Sequence, residues 1–246
     1  MMKEALQYLI GLGQANIHEV TLPDGSIQKY SDKKLERIDK YIPLASEIEM
    51  STLTSLVDYI KSGADAMSEK MIVHVESPER VRLYSNLNDN REREMLTVVN
   101  AQLPKFDFNS FMDHERFNIN VQSKFINDSA TDKALILKFS GSVEQGSVAQ
   151  YGDDGVTQKA TVKTGITNRT DAVVPNPVSL KPYRTFIEVD QPSSRFIFRM
   201  REGKIGGIEC ALFEADGGAW MNEAMYNIKK YLEEELKDLS GFIIIS

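Results

Sequence analysis

Three histidines and one cysteine are the residues with which this chain of 246 amino acids would most readily do acid–base, metal or nucleophilic chemistry. His18, His74 and His114 form no close pair, and none has the i, i+4 partner of a zinc-binding helix, so each reads as an ordinary structural histidine. Cys210 stands among Ile208, Ala211 and Leu212 and reads as a small buried hydrophobe rather than a nucleophile. Gly152-Asp153-Asp154-Gly155 follows no strand-to-helix fingerprint and has no adjacent Lys-Ser or Lys-Thr. It is neither a phosphate loop nor a dinucleotide turn, and no acidic ligand series surrounds its carboxylates. Glu188, Asp190, Glu209 and Glu214 fall on neighbouring predicted strands without the acidic-x-lysine signature of a metal nuclease. The residue types therefore assign no catalytic group, no metal ligand and no cofactor.

Two patterns suit binding instead. Along 195–201, Phe196, Phe198 and Met200 alternate with Arg195, Ile197, Arg199 and Arg201, which predicts a strand with one apolar and one cationic face. With Lys181, Arg184 and Lys204, residues 181–204 hold six basic side chains against Glu188, Asp190 and Glu202, a local balance of +3. Such a stripe beside Tyr183 and Phe186 has the materials to grip phosphates and stack a base. It equally fits a solvated sheet face, or arginines that pair with the acidic run Glu233-Glu234-Glu235. The second pattern, Asp216-Gly217-Gly218, precedes a long helix. Capping and turn chemistry explain it, and a helix N-terminus that receives an anion is the sharper alternative. The candidate ligand-binding set is Tyr183, Arg184, Arg195, Arg199, Arg201, Lys204, Asp216, Gly217 and Gly218.

The elements that must position these residues follow from periodicity and turn signals. A short helix is expected over 1–14 and a hairpin over 18–30 around Pro23-Asp24-Gly25. A strand near 47–50 leads to a helix over 51–61, capped by Ser51 and stopped by Gly63, with Leu53, Leu56, Val57 and Ile60 on one face. Strands over 71–76, 80–87 and 94–102 are joined too tightly for crossovers and predict an antiparallel meander. Asn109 is expected to cap a helix reaching about Ile126, with Phe108, Phe111, Phe117 and Val121 among its apolar residues. Strands are expected over 133–143 and 157–162 around a Gly-rich connection, then over 184–190, 195–201 and 208–214. A long C-terminal helix over 219–239 buries Trp220, Ala224, Ile228, Leu232 and Leu236, and Phe242–Ile245 can add a last strand. The fold class is α+β: antiparallel β-meanders packed with a few amphipathic helices. The domain reading is 1–42 as an N-terminal helix and hairpin and 43–246 as the core, the core dividing at about residue 130.

Composition narrows the setting. The net charge of −7 disfavours non-specific duplex DNA binding, which needs many phosphate contacts, without excluding a local basic patch. The longest apolar run is far short of a membrane span, Met1 to Gly13 carries no secretory signal, and a lone cysteine makes no internal disulfide. The expectation is a cytoplasmic protein with no membrane partner.

Several stretches are distinctive: Val121-Gln122-Ser123-Lys124-Phe125, the run from Gly152 to Lys159, the run from Val174 to Phe186, Gln191-Pro192-Ser193-Ser194-Arg195-Phe196-Ile197-Phe198-Arg199, and the run from Phe213 to Trp220. They resemble a set of phage and prophage proteins, the YfdQ-like family, chiefly over the C-terminal half. The resemblance implies a phage origin and a place among early genes for DNA replication, recombination or host takeover; it transfers no catalytic residue. The functional expectation is a non-enzymatic binding protein. Its partners would be single-stranded nucleic acid, a nucleotide or a protein of the infected cell. The alternatives are an inhibitor or nucleotide sponge directed at host antiviral defence, and a metal-dependent nuclease. The run Phe242–Ile245 invites strand pairing with a second chain, so a homo-oligomer is expected.

Overall fold

The computed structural model of the chain describes residues 2–13, 16–31, 44–67, 69–151, 158–164, 168–173, 176–204 and 206–246. A first unit, Met1–Leu44, contains helix α1 (Met2–Gly13) and the hairpin of β1 (Ile17–Thr21) and β2 (Ile27–Ser31). Its turn closes as its residue types require: the Asp24 carboxylate accepts from the N–H and the hydroxyl of Ser26, and Gly25 takes φ 85°.

The second unit, Ala45–Ser246, begins with β3 (Ile48–Met50), α2 (Leu53–Ser62), β4 (Met71–Ser77), β5 (Arg80–Ser85) and β6 (Met95–Asn100). It continues with β7 (Met112–Asp113), α3 (His114–Lys124), α4 (Lys133–Ser142), β8 (Val143–Tyr151), β9 (Gln158–Thr164), β10 (Asn168–Val173) and β11 (Val178–Leu180). It closes with β12 (Ser194–Glu202), β13 (Ile208–Glu214), α5 (Ala219–Glu235) and β14 (Phe242–Ile245). The architecture is α+β.

Strands β4, β5 and β6 form the expected antiparallel meander, and two strands widen it in parallel to give the order β14-β4-β5-β6-β3. One face of this sheet is covered by α2 and α5. Leu53, Leu56, Val57 and Ile60 meet Val73, Val75, Val81 and Leu83 from the sheet and Ile228, Leu232 and Leu236 from α5. Full burial of each such side chain contributes roughly 1.5–3 kcal/mol. A second sheet, β11-β12-β13-β7, is antiparallel and covers its inner face with α3 and α4. Phe196, Phe198 and Met200 of β12 and Cys210 and Leu212 of β13 pack there on Phe117, Val121, Ile136 and Phe139. The Phe117 and Phe198 rings stack 5.4 Å apart. A third sheet, β10-β9-β8, is also antiparallel.

The loop between β11 and β12 ties the two cores together. Phe186 and Val189 plug the first core, and the Thr185 hydroxyl donates to the Pro78 carbonyl in the β4–β5 turn. The Ile126 N–H donates to Lys181 O and the Tyr183 N–H to Lys124 O, fastening the same loop to the end of α3. The buried ammonium of Lys133 donates to the Gln122 and Phe125 carbonyls, acceptors that the end of α3 leaves without helical partners.

Several sequence expectations need correction. The cap of α2 is Thr52, whose hydroxyl accepts from the Ser55 N–H, and not Ser51. No helix starts at Asn109. That residue adopts φ 61°, donates its N–H to Leu212 O and accepts from the Glu214 N–H, while Asp113 caps α3. Phe108 and Phe111 therefore belong to the preceding loop. The segment 133–142 is helix α4 and not a strand: Ile136, Phe139 and Ser140 turn inward at spacings of three and four. Residues 184–190 form no strand, because the buried side chain of Gln191 supplies their backbone partners. Of the Gly-rich connection expected over 146–155, residues 146–151 belong to strand β8 and not to a loop, and Gly152-Asp153-Asp154-Gly155 lies outside the described residues.

Candidate functional site

Strand β12 sorts its side chains as alternation requires. Phe196, Phe198 and Met200 are buried, whereas Arg195 and Arg201 are exposed and Ile197 and Arg199 half-buried on the outer face. The register with β13 sets Ile197 opposite Phe213, Arg199 opposite Ala211, and Arg201 opposite Glu209. The Arg201 Nε donates to Glu209 Oε2 at 2.7 Å, and its guanidinium carbon lies 4.0 Å from the centroid of the Phe111 ring. Phe111 in turn meets Phe213 edge to face at 5.8 Å. The outer face thus carries two half-buried phenyl rings and Ile197, bordered by guanidinium groups, with Glu209 paired to one of them. Lys204 is exposed just beyond the end of β12.

Arg184 does not share that face. It is 8% exposed, and its Nη1 donates to Glu214 Oε1 at 2.8 Å. The register sets Glu214 opposite Phe196, an inward position. The guanidinium carbon sits 4.3 Å from the Trp220 ring centroid, 5.1 Å from that of Phe108 and 5.2 Å from that of Phe196. Burial lowers the Arg184 pKa, and the Glu214 and Asp216 carboxylates oppose the shift. Its Nη2 is buried and has no hydrogen-bond partner among the described residues.

A cavity of about 460 Å3 opens beside it, lined by Tyr183, Arg184, Glu214 and Trp220, by Phe106 and Phe108 of the loop before β7, and by Glu79 of the β4–β5 turn. Trp220, expected on the buried stripe of α5, stands half-buried at the helix's first turn and faces Arg184 instead. Phe186, expected beside the arginine stripe, is 1% exposed in the first core.

Asp216-Gly217-Gly218 performs the turn chemistry its types suggest. Asp216 Oδ1 accepts from the Gly218 N–H, Gly217 and Gly218 adopt φ 63° and 81°, and the chain enters α5 without a side-chain cap. Asp216 stays close enough to Arg184 to act on its charge, so a carboxylate already occupies this neighbourhood.

No family model, curated protein or solved structure matches this chain. Among the described residues, no three of His, Cys, Asp and Glu gather closely enough to hold a metal ion. No described helix is long and apolar enough to cross a membrane. Cys210 is fully buried, and burial pushes its thiol pKa up to about 12, which leaves it protonated and a poor nucleophile.

The structure therefore divides the residues singled out from the sequence. Tyr183 and Arg184 line the cavity and Asp216 stands beside Arg184, whereas Arg195, Arg199 and Arg201 project from the other face of β12. Sequence reasoning missed Phe111 and Phe213, the rings that accompany the arginines. Alternation within 208–214 places Phe213 opposite in phase to Leu212 and was sufficient to find it; Phe111, in a loop, gave no such signal.

Proposed function

We propose that this chain is a non-enzymatic binding protein that holds single-stranded nucleic acid across the outer face of β12 and β13. The observation that carries the reading is the projection of Arg195, Arg199 and Arg201 onto the same face as the Phe111–Phe213 pair. Single strands are bound where cations track the phosphates and planar groups, including guanidinium planes, stack the bases. The protein as a whole is acidic, with a net charge of −7, so the cationic strip is local and favours a short contact over wrapping of a duplex. With the phage origin that its resemblance implies, the chain acts in the host cytoplasm, in early phage DNA metabolism or takeover of host functions.

A second copy completes this proposal. Among the described residues, strand β14 is an edge of its sheet, paired on one side only, and its own residues, Phe242–Ile245, include no charge or proline, with Ile243 and Ile245 at 50% and 43% exposure. Antiparallel pairing about a twofold centred on Ile244 sets Ile243 of one copy against Ile245 of the other and continues the sheet across a homodimer. Binding is tested by fluorescence anisotropy of a labelled oligothymidylate over a salt series. The expected result is saturable binding that weakens with salt; an absence of binding at low salt contradicts the reading.

A further inference from the structure

We infer, resting on the single-strand reading of this face, that Arg201 serves the strand as a platform for a base and not as a grip on a phosphate. A guanidinium can act in either way, because it is both a charge and a flat group. Its neighbours determine which of the two is left for a ligand.

The Arg201 Nε donates to Glu209 Oε2 at 2.7 Å, so a carboxylate already balances the charge and repels a phosphate brought to the same edge. The guanidinium carbon lies 4.0 Å from the centroid of the Phe111 ring, so one flat side rests on an aromatic surface. Phe111 is itself held, meeting Phe213 edge to face at 5.8 Å. Between Glu209 and Phe213, on the outer side of β13, stands Ala211 at 0% exposure, and its small side chain leaves room for a ring that bridges from Arg201 to Phe213. The Arg201 side chain still keeps 49% of its surface exposed. With its edge engaged and one side covered, what remains open is a flat cationic surface backed by a phenyl ring. Bases of unpaired strands stack on guanidinium planes and on aromatic rings.

Arg195 stands in a different setting. It is exposed, and the register sets the uncharged Ser179 opposite it. Along β12 it lies roughly 20 Å from Arg201, at about 3.4 Å per residue. Its charge is the one that suits a phosphate. A strand that follows β12 thus meets a phosphate contact at the Arg195 end and a stacked base at the Arg201 end.

The test separates charge from shape. Arg201→Lys and Arg195→Lys each keep a cation and remove the flat group. Both full-length variants are compared with the native chain, by anisotropy at low salt, for binding a labelled oligothymidylate and an abasic strand of equal length. Both side chains point outward from the sheet, so melting temperatures are expected to stay close to the native value. Arg201→Lys is expected to weaken oligothymidylate at least about fivefold and to leave the abasic strand unchanged, because only a base uses the platform. Arg195→Lys is expected to leave both strands within about twofold of the native affinity. An Arg201→Lys variant that binds oligothymidylate as the native chain does, or that weakens both strands equally, overturns the assignment, as does equal native affinity for the two strands. Native binding of neither strand overturns the single-strand reading itself, and the assignment with it.

Discussion

The guanidinium of Arg184 lies 4.3 Å from the ring centroid of Trp220 while its Nη1 holds Glu214 at 2.8 Å. This side chain joins the loop before β12, the end of β13 and the start of α5 through one buried cation. A lysine keeps the charge but loses the planar stack and the forked donors. Arg184→Lys is therefore expected to destabilise the protein by about 2 kcal/mol in urea unfolding and to change Trp220 emission. A variant as stable as the native protein would remove Arg184 from this joining role.

Gln191 is the second such tie. Its Oε1 accepts from the Arg184 and Thr185 N–H groups, and its Nε2 reaches the carbonyls of Thr185, Phe186 and Val189. Gln191→Ala leaves those buried backbone groups without partners and is expected to cost about 3 kcal/mol. Urea denaturation measures it, and a loss below about 1 kcal/mol would mean that the loop finds other partners.

Asp128 and Lys181 give a pH dependence with a defined sign. The Lys181 ammonium, 2.8 Å away, together with the Ala130 N–H, holds the Asp128 carboxyl below its ordinary value of 3.8. A carboxylate depressed in the folded state stabilises above its unfolded pKa and loses that contribution as pH falls through the folded value. Asp128→Asn is expected to melt below the native protein at neutral pH and to approach it as pH falls below 3.8. A gap that stays constant down to about pH 2 would contradict this linkage.

The free edge of β14 predicts a dimer that one charge abolishes. Ile243→Lys places an ammonium on an edge strand at a position 50% exposed, where the folded monomer tolerates it. Light scattering is expected to give a dimer for the native chain at micromolar concentration and a monomer for the variant. A native monomer, or a dimer indifferent to the lysine, would rule out pairing through β14.

Local patterns carried much of the fold. The spacing of Leu53, Leu56, Val57 and Ile60 marked α2, the alternation of Phe196, Phe198 and Met200 marked β12, and Gly63 marked the end of α2 through its positive φ. Gly241, expected to end a helix over 219–239, instead lies in the turn before β14, because α5 already ends at Glu235. At Gly241 a Cβ would stand 2.3 Å from the Glu69 carbonyl oxygen, so only glycine fits. What failed depends on distant partners. Residues 134–137 are uniformly apolar, and a short apolar run suits strand and helix alike until packing on α3 decides. Residues 184–190 read as a strand because nothing local announces that the Gln191 side chain replaces the ladder. The candidate site was half legible for the same reason. Alternation gave the outward arginines of β12, but the inward position of Arg184 follows from three rings and a carboxylate supplied by other segments.

Affinity for a labelled single strand, measured by anisotropy at low salt, tests the central proposal most directly when the native chain is compared with Arg195→Glu and Phe213→Ala. Arg195 is exposed and Phe213 half-buried, so both substitutions leave the inner core untouched. The native chain is expected to bind. Arg195→Glu is expected to weaken binding and to reduce the dependence on salt by about 0.7 in the logarithmic slope, as for one lost phosphate contact. Phe213→Ala is expected to lose about 1–3 kcal/mol of affinity, the contribution of one stacked base, with the salt slope unchanged. Equal affinity in all three proteins, or no binding by any, would contradict the assignment of this face to nucleic acid.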